Sequence, residues 1–326
     1  MRFSLSSEQR AFAAALDDLL AAADTPAAHR AWAAGNTAPG LDLWSRLAEL
    51  GVPALVVPDS LGGVGGTPLD LAVAFERLGY HAVPGPWIET AALAPLLLRK
   101  TGDEDVLAAV AGGAARVTVA LPPVTPFALD HDVCGWTYLV TGETLTRGLA
   151  AGAVSSVDPA RRLQALTAGE TVAELDPAAL RAALDQAAVA CAALLVGIGE
   201  RLLAESVRYV GARRQFGRVI GEYQSIKHAL ADVRVGLDFA RPLLHGAATE
   251  LTARSPTASR DASAAKVLAA GSAHRAARTA LQVHGAIGYT LECDVSIWIC
   301  KARALIGAWG TPAMHRARVL DSLTGS

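Results

Sequence analysis

Several features that would assign this chain to a familiar class of protein are scarce or missing. Aromatic residues make up only 5% of its 326 residues, and the net charge is −2. A chain so close to neutral offers no bulk electrostatic attraction to nucleic-acid phosphates. Its best uncharged apolar run, 187–199, is shorter than the roughly 20 residues that a helix needs to cross a bilayer. We therefore expect neither a nucleic-acid partner nor a membrane span.

The residue patterns of several common active sites are also missing. The cysteines form no C-x-x-C pair and the histidines give no H-E-x-x-H or similar ligand pair, so we expect no metal site. No G-x-S-x-G elbow is present for nucleophilic hydrolysis. The glycine-rich stretch 62–66 fails the G-x-G-x-x-G spacing and lies in no βαβ unit. It is therefore predicted to be a turn between helices.

Cysteine use and the amino terminus bear on where the protein works. Cys134, Cys191, Cys293 and Cys300 are predicted to be reduced and mostly buried, which is the usual behaviour of free cysteine. Residues 1–4 lead into a polar helix start and not into the apolar core of a signal peptide. We expect a cytoplasmic protein.

Alanine and leucine are abundant instead, and both favour helix. Residues 1–113 are predicted to form an N-terminal helical domain. Residues 114–176 are predicted to form a small β domain, because β-branched and aromatic runs such as 117–121 are bounded by turn residues. Residues 177–326 are predicted to form long helices joined by short loops, which is typical of an antiparallel bundle. The predicted fold class is mainly α with a small central β domain.

Helix signals within the third region are specific. Asp176 is a predicted N-cap with Pro177 at the first helical position. Pro242 is expected to kink or split the second long helix, because proline lacks the backbone N–H that the helix needs. The long helical segments are predicted over residues 177–209, 224–251 and 261–283, with shorter ones over 294–306 and 312–323.

Four arginines gather where the first long helix is predicted to end: Arg208, Arg213, Arg214 and Arg218. Guanidinium groups can hold a pyrophosphate through paired hydrogen bonds. Phe216, between them, offers a flat apolar surface for a ring. The residues alone leave a second interpretation open, a solvated helix end whose cations complement the helix dipole.

The sequence around these arginines resembles a known family. Residues 213–217 (RRQFG), followed by 223–225 (YQS) and 228–232 (HALAD), are similar to the R-x-Q-F-G…F-Q…H-x-L-A-D/E signature of the acyl-CoA dehydrogenases. Residues 282–290 (QVHGAIGYT) resemble that family's Q-x-x-G-G-x-G-[YF] turn. The resemblance covers essentially the whole chain. It implies an N-terminal helical domain, a reduced β domain and a C-terminal antiparallel four-helix bundle.

The resemblance also implies FAD as the cofactor. In the family, the arginine that matches Arg213 binds the FAD pyrophosphate. Ala286 replaces the second glycine of the usual pair. The other positions implied to contact FAD are Gln215 and Phe216, then Ile220, Tyr223 and Ile226 at the adenine end, Gln282 and Ala286 across a subunit interface, and Thr311 near the chain end.

Three departures from the family pattern concern the reaction itself. Trp309 stands where the family generally has the glutamate that abstracts the α-proton of the acyl thioester. Ala187 stands at the second position where some members carry this base. Asp185, with a shorter reach and a two-residue offset, is the alternative candidate. The segment 120–126 (ALPPVTP) replaces the family's T-E-P-x-x-G-S-D-like stretch, which holds the flavin ring. We therefore assign no catalytic residue to this chain.

These departures lead to one hypothesis and two alternatives. The chain is predicted to be a subunit of a heteromeric FAD-dependent acyl-CoA dehydrogenase, similar to the smaller subunits of actinobacterial heterotetrameric steroid-CoA dehydrogenases. A paralogous subunit would supply the base, an acyl-CoA would be the substrate, and an electron-transferring flavoprotein the acceptor. The alternatives are a homomeric flavoenzyme with a displaced base and a non-catalytic scaffold homologue.

Overall fold

A computed structural model describes residues 4–99, 101–290 and 292–325 of the chain. Residues 1–3, on which part of the expectation for the amino terminus rests, lie outside this range. The amino-terminal part is helical, and a capping box between Ser6 and Gln9 begins its first helix. Its helices are α1 (Ser7–Ala21), α2 (Thr25–Ala33), α3 (Ala38–Glu49), α4 (Pro68–Tyr80), a π-helical turn (Ile88–Leu93) that continues into α5 (Ala94–Leu97), and α6 (Glu104–Ala111).

The predicted interhelical turn at residues 62–66 is confirmed between α3 and α4. Backbone N–H groups of Val64, Gly65 and Gly66 donate to carbonyl oxygens of the preceding segment, over 2.7–3.0 Å. A Cβ atom on Gly63 would lie 2.0 Å from the carbonyl oxygen of Val57. The loop is therefore closed against its own neighbours and offers no cradle for a phosphate.

The central β region is one mixed five-stranded sheet with strand order β1-β3-β4-β5-β2. The β1–β3 pair is parallel, and the other pairs are antiparallel. A long hairpin of β4 and β5 dominates the sheet, because these strands have 11 and 12 residues. The strands are β1 (Val117–Ala120), β2 (Ala128–Leu129), β3 (Trp136–Thr141), β4 (Thr144–Val154) and β5 (Leu163–Glu174).

The carboxyl-terminal part is a helical bundle around a 36-residue helix, α7. Asp176 caps α7 by accepting a hydrogen bond from the Ala179 N–H, and Pro177 is its first residue, as predicted. The helices are α7 (Pro177–Ala212), α8 (Gln224–Ala253), α9 (Ala258–His284), α10 (Val295–Gly307) and α11 (Pro312–Thr324), with a short hairpin of β6 (Arg214–Gln215) and β7 (Arg218–Val219) after α7. The mainly α fold with a small sheet is confirmed; the division into three domains stays a prediction.

Two sequence expectations agree with the structure only in part. Pro242 does not split its helix, since α8 runs unbroken from Gln224 to Ala253; the kink stays a prediction. Arg241, the residue before it, holds α8 to its neighbours through Glu76 of α4 at 2.8 Å and Glu200 of α7 at 2.5 Å. All four cysteines are free, but only Cys191 is fully buried; the other three are half-buried.

In the described part of the chain, α7 is the one helix long and apolar enough to cross a bilayer. However, 83% of its most apolar window is buried inside the protein, where it packs on α4, α8 and α9. Its apolar character is thus accounted for by the core. Within the same described ranges, no group of three or more His, Cys, Asp or Glu side chains is placed to hold a metal ion.

Candidate functional site

The first predicted motif forms an exposed hairpin at the end of α7. The backbone N–H of Arg213 donates to Tyr209 at 2.9 Å, and the N–H of Ile220 donates to the Arg213 carbonyl oxygen at 2.9 Å, which closes the hairpin. Phe216 and Gly217 form its tip at φ +50° and +82°. The Phe216 side chain is 91% exposed. The ring is therefore free to pack against a ligand or a partner chain.

Of the four arginines at the end of α7 and in this hairpin, two make side-chain contacts within the chain and two do not. Arg208 forms an ion pair with Glu205 on the same helix, and the Arg218 guanidinium lies 3.9 Å from the centroid of the Tyr223 ring. Arg213 and Arg214 are exposed and make no side-chain hydrogen bond or ion pair with any described residue. Two free guanidinium groups next to an exposed ring suit an anionic ligand that also carries an aromatic system.

The second predicted motif lies at the end of α9, next to the first. Tyr209, in the last turn of α7, stacks on His284, the last residue of α9, with ring centroids 4.2 Å apart. Gly285 then turns the chain at φ +66° into a 3₁₀ turn, Gly285–Tyr289. Gln282 and Ala286 are exposed on this end of the bundle. The Tyr209–His284 stack therefore brings the two motifs to one surface.

We call this surface the anchor half. It contains eight of the nine predicted cofactor residues: Arg213, Gln215, Phe216, Ile220, Tyr223, Ile226, Gln282 and Ala286. The three residues assigned to the adenine end, among them Tyr223, are half-buried, whereas the other five are exposed. The Tyr223 hydroxyl donates to the Gln215 carbonyl oxygen at 3.5 Å, which ties the hairpin to the start of α8.

Thr311, the ninth residue, lies at the opposite end of α9. Its hydroxyl caps α11 by accepting from the Met314 N–H at 3.2 Å. His315, in the first turn of α11, lies 3.2 Å from the Ser263 hydroxyl near the start of α9. Ser263 and Gln282 are about 28 Å apart along a helix that rises about 1.5 Å per residue. The structure therefore does not bring Thr311 together with the anchor half.

Trp309 is held in a strained, buried turn beside Thr311. Its side chain is 2% exposed and its φ is +55°. Its carbonyl oxygen lies 2.9 Å from His315 Nε2. Since a carbonyl only accepts, Nε2 must carry the proton and Nδ1 accepts from Ser263. Burial lowers the pKa of His315 to about 4, against the opposing effect of the Trp309 hydrogen bond. The imidazole is thus neutral at pH 7 and fixes the turn.

Asp185, the alternative candidate base, is engaged on both oxygens. Its side chain is 2% exposed. One oxygen accepts from Arg318 Nη2 at 2.5 Å, and the other accepts from the Ser259 hydroxyl. A carboxylate already bonded to a guanidinium and a hydroxyl has little capacity left to accept a substrate proton, which argues against Asp185 as the displaced base.

A cleft of about 440 Å³ lies in front of Trp309. It is bounded by the β3–β4 hairpin, the start of α7 and α11, and its walls include Leu180, Leu184 and Met314. Glu143, at the hairpin turn, also lines it as an exposed carboxylate that makes no side-chain bond with the described residues. Sequence reasoning missed Glu143, because only the folded hairpin brings residue 143 beside residue 309.

The segment after β1 is poorly equipped to hold a flavin ring. Leu121 and Thr125 bond each other, N–H to carbonyl in both directions, at 2.7 and 2.9 Å. Positions 122, 123 and 126 are prolines, which have no N–H. Ala120 pairs with β3. Among residues 120–126, Val124 is therefore the one residue whose backbone N–H has no partner in the described structure. The anchor half fits the pyrophosphate and adenine of FAD, whereas the segment 120–126 does not fit the flavin ring.

Known proteins place the chain in a family. The acyl-CoA dehydrogenase N-terminal domain model matches residues 6–115, and the C-terminal domain model of the same family matches residues 178–324. Acyl-CoA dehydrogenase IpdE2 of Mycobacterium tuberculosis is 34% identical over 281 residues, which are 85% of either chain. The chain belongs to the acyl-CoA dehydrogenase family.

Solved structures agree with this fold. The Tcur3481–Tcur3483 steroid ACAD superposes with a TM-score of 0.86 at 22% identity, over 99% of each chain. The ChsE4–ChsE5 complex from Mycobacterium tuberculosis gives a TM-score of 0.82 at 20% identity, over 100% of each chain. Both likenesses concern the fold. The predicted family and fold are thus confirmed, and the family's cofactor is FAD.

Proposed function

We propose that this chain is one subunit of a heteromeric acyl-CoA dehydrogenase, which introduces an α,β double bond into an acyl-CoA. A paralogous chain of the same fold supplies the carboxylate that abstracts the α-proton. One observation carries this proposal: an exposed, unpaired anchor half at one end of α9, and at the other end a cleft that has Trp309 in place of that carboxylate.

Within such a complex, the residues of this chain bind and orient. Arg213 pairs with the FAD pyrophosphate, and Phe216 packs on the cofactor and loses its exposure to water. Gln282 adds a polar contact from the neighbouring turn. The chemistry that bound FAD supplies is acceptance of a hydride from the acyl β-carbon. The partner then holds the flavin ring and removes the α-proton of the substrate, because residues 120–126 of this chain offer few donors for the ring and Trp309 stands in place of the glutamate.

The substrate class and the acceptor are part of the same proposal. The Tcur3481–Tcur3483 steroid ACAD supports an acyl group derived from a steroid, and the ChsE4–ChsE5 complex supports a partner of the same fold. We propose an electron-transferring flavoprotein as the electron acceptor, and the cytoplasm as the location.

The two alternatives have less support. A homomeric enzyme with a displaced base would need a carboxylate held in place at the cleft. The Asp185 carboxylate is bonded to Arg318 and Ser259. Glu143 also lines the cleft, but it lies at an exposed hairpin turn where no side-chain bond with a described residue positions it. A non-catalytic scaffold would give no reason for two unpaired arginines beside an exposed phenylalanine.

Replacing Arg213 with alanine in the co-expressed complex tests the anchor. Hydrogen bonds to charged groups contribute about 1.5–3 kcal/mol, so we expect FAD to bind about 10- to 100-fold more weakly. The measurement is the flavin retained after dilution, followed by its absorbance. Arg303→Ala, at an exposed arginine of α10, is the matched control and should retain FAD normally. Unchanged FAD affinity in Arg213→Ala would contradict the proposed anchor and favour the scaffold.

A further inference from the structure

A second cavity lies beside the anchor half, and the proposed function does not use it. It has a volume of about 190 Å³ and lies between α2, the loop that carries Pro159, the end of α9 and α10. Its walls are mainly apolar and include Ala33, Leu281 and Ile297. An apolar cavity of about 150 Å³ is enough to bind benzene. This cavity therefore has room for a six-membered ring with a small substituent.

The ionisable side chains that border this cavity offer no free charge to a ligand. His29 Nε2 lies 3.2 Å from Asp158 Oδ1, and Arg30 forms an ion pair with Asp294. Burial lowers the pKa of His29 against the opposing effect of the nearby Asp158 carboxylate, so its ring is neutral at pH 7. A charged ligand would lose its hydration here without gaining a free counter-charge, and its binding is disfavoured.

Three polar groups on the cavity wall, in contrast, have no partner among the described residues. They are the Ser296 hydroxyl, the Tyr289 hydroxyl and the Cys300 thiol. Serine and tyrosine hydroxyls both donate and accept hydrogen bonds. Burial raises the pKa of Cys300, so this side chain stays a neutral thiol. Neutral donors and acceptors on an apolar wall suit a ligand with one hydroxyl or carbonyl group.

We propose that this cavity binds a small neutral ring compound that carries one hydroxyl or carbonyl oxygen. The ring packs against Ala33, Leu281 and Ile297, and the oxygen bonds to Ser296 or Tyr289. Tyr289 belongs to the turn Gly285–Tyr289, which also carries part of the anchor half. An occupant therefore adds a packing contact beneath that turn and stabilises it.

Calorimetric titration of the full chain with cyclohexanol tests the site. We expect saturable one-to-one binding, with cyclohexanecarboxylate and cyclohexylamine at least about tenfold weaker, because neither charge finds a partner. Ala33→Leu fills the cavity and should weaken binding at least about tenfold. Ala34→Leu, at the exposed neighbouring residue, is the matched control and should bind as the unmodified chain does. Ser296→Ala should weaken cyclohexanol binding about three- to tenfold.

Other outcomes overturn the proposal. These are no saturable binding of cyclohexanol, unchanged binding in Ala33→Leu, or equal binding of the charged analogues. Loss of binding when the paralogous subunit is present would show that the cavity is part of a protein interface. Hydrogen exchange gives a second readout, because occupancy should slow exchange of the amides of residues 285–289. Circular dichroism establishes that each variant is folded, so failure of a variant to fold is distinguished from failure to bind.

Discussion

At the scale of single residues, two buried titratable groups fix the turn that carries Trp309. His315 donates to the Trp309 carbonyl oxygen at 2.9 Å. Lys266, which is fully buried, donates to the carbonyl oxygens of Leu305 and Ile306 at 3.2 and 3.1 Å, where α10 ends. Burial lowers the pKa of Lys266. These bonds hold a bulky indole in a left-handed position where the family generally has glutamate.

His315 should make the protein less stable in mild acid. Its folded pKa of about 4 lies below the ordinary 6.5, so the unfolded chain binds the proton first. The contribution of neutral His315 to the free energy of unfolding is therefore fully present above pH 6.5. It is lost as the pH drops towards 4, by up to about 3 kcal/mol. His315→Gln should flatten this part of the pH dependence, measured as urea midpoints between pH 6.5 and 4.5. His274→Gln, at an exposed histidine, is the control; the same slope in both variants would contradict the assignment.

Glu89 should have the opposite dependence. It is 2% exposed, its Oε2 has no hydrogen-bond partner in the described part of the chain, and burial raises its pKa to about 7 from 4.5. The folded state therefore holds the proton longer, and stability falls as the pH rises from 4.5 to 7. Glu89→Gln should raise the free energy of unfolding at pH 8 by about 1–3 kcal/mol, measured by urea unfolding. Exposed Glu49→Gln should change it little, and a loss of stability in Glu89→Gln would refute the prediction.

At the scale of elements, α4 and α7 cross at very short range through glycine. A Cβ atom on Gly197 would lie 1.9 Å from the Glu76 carbonyl oxygen, and one on Gly79 would lie 2.2 Å from the Leu194 carbonyl oxygen. Backbone atoms cannot give way as a flexible side chain can. Glycine at both positions therefore lets the amino-terminal helices pack directly on the central helix of the bundle.

Gly197→Ala should consequently push α4 away from α7. Overpacking of this kind costs about 1–3 kcal/mol, and we expect a lower midpoint of thermal or urea unfolding. Gly271→Ala is the matched control, since Gly271 lies in α9 with nothing within 4 Å of the added Cβ atom. That variant should be neutral or more stable, by up to about 1 kcal/mol. Equal effects of the two substitutions would argue against the close crossing.

Helices with strong local signals were predictable from sequence, and those without them were not. The N-cap Asp176 and the apolar spacing after it predict α7, and the predicted 261–283 helix is close to the observed α9. The π-helical turn Ile88–Leu93 has no such signal, because its six residues are all buried and show no periodicity. α8 continues through Pro242, and the ion pairs of the neighbouring Arg241 with Glu76 and Glu200 are tertiary contacts that lie outside any local window.

At the scale of the whole molecule, the two ends of α9 carry different parts of the proposed cofactor site. The resemblance to the acyl-CoA dehydrogenases implies the residues of the anchor half, and the Tyr209–His284 stack brings its two motifs together. Sequence could not predict that Thr311 lies at the opposite end of α9 from the anchor half, nor that Asp185 is bonded to Arg318 and Ser259. Both facts depend on how α9 and α11 pack, and no local pattern in the sequence encodes that packing.

The flavin content and activity of this chain alone and with a paralogous subunit test the central claim most directly. The chain and the subunit are purified separately and after co-expression, and bound FAD and acyl-CoA oxidation are measured for each. If the site is formed by both subunits, bound FAD and dehydrogenation appear together in the co-expressed complex, and this chain alone has neither. A purified single chain that holds FAD and dehydrogenates an acyl-CoA would contradict it.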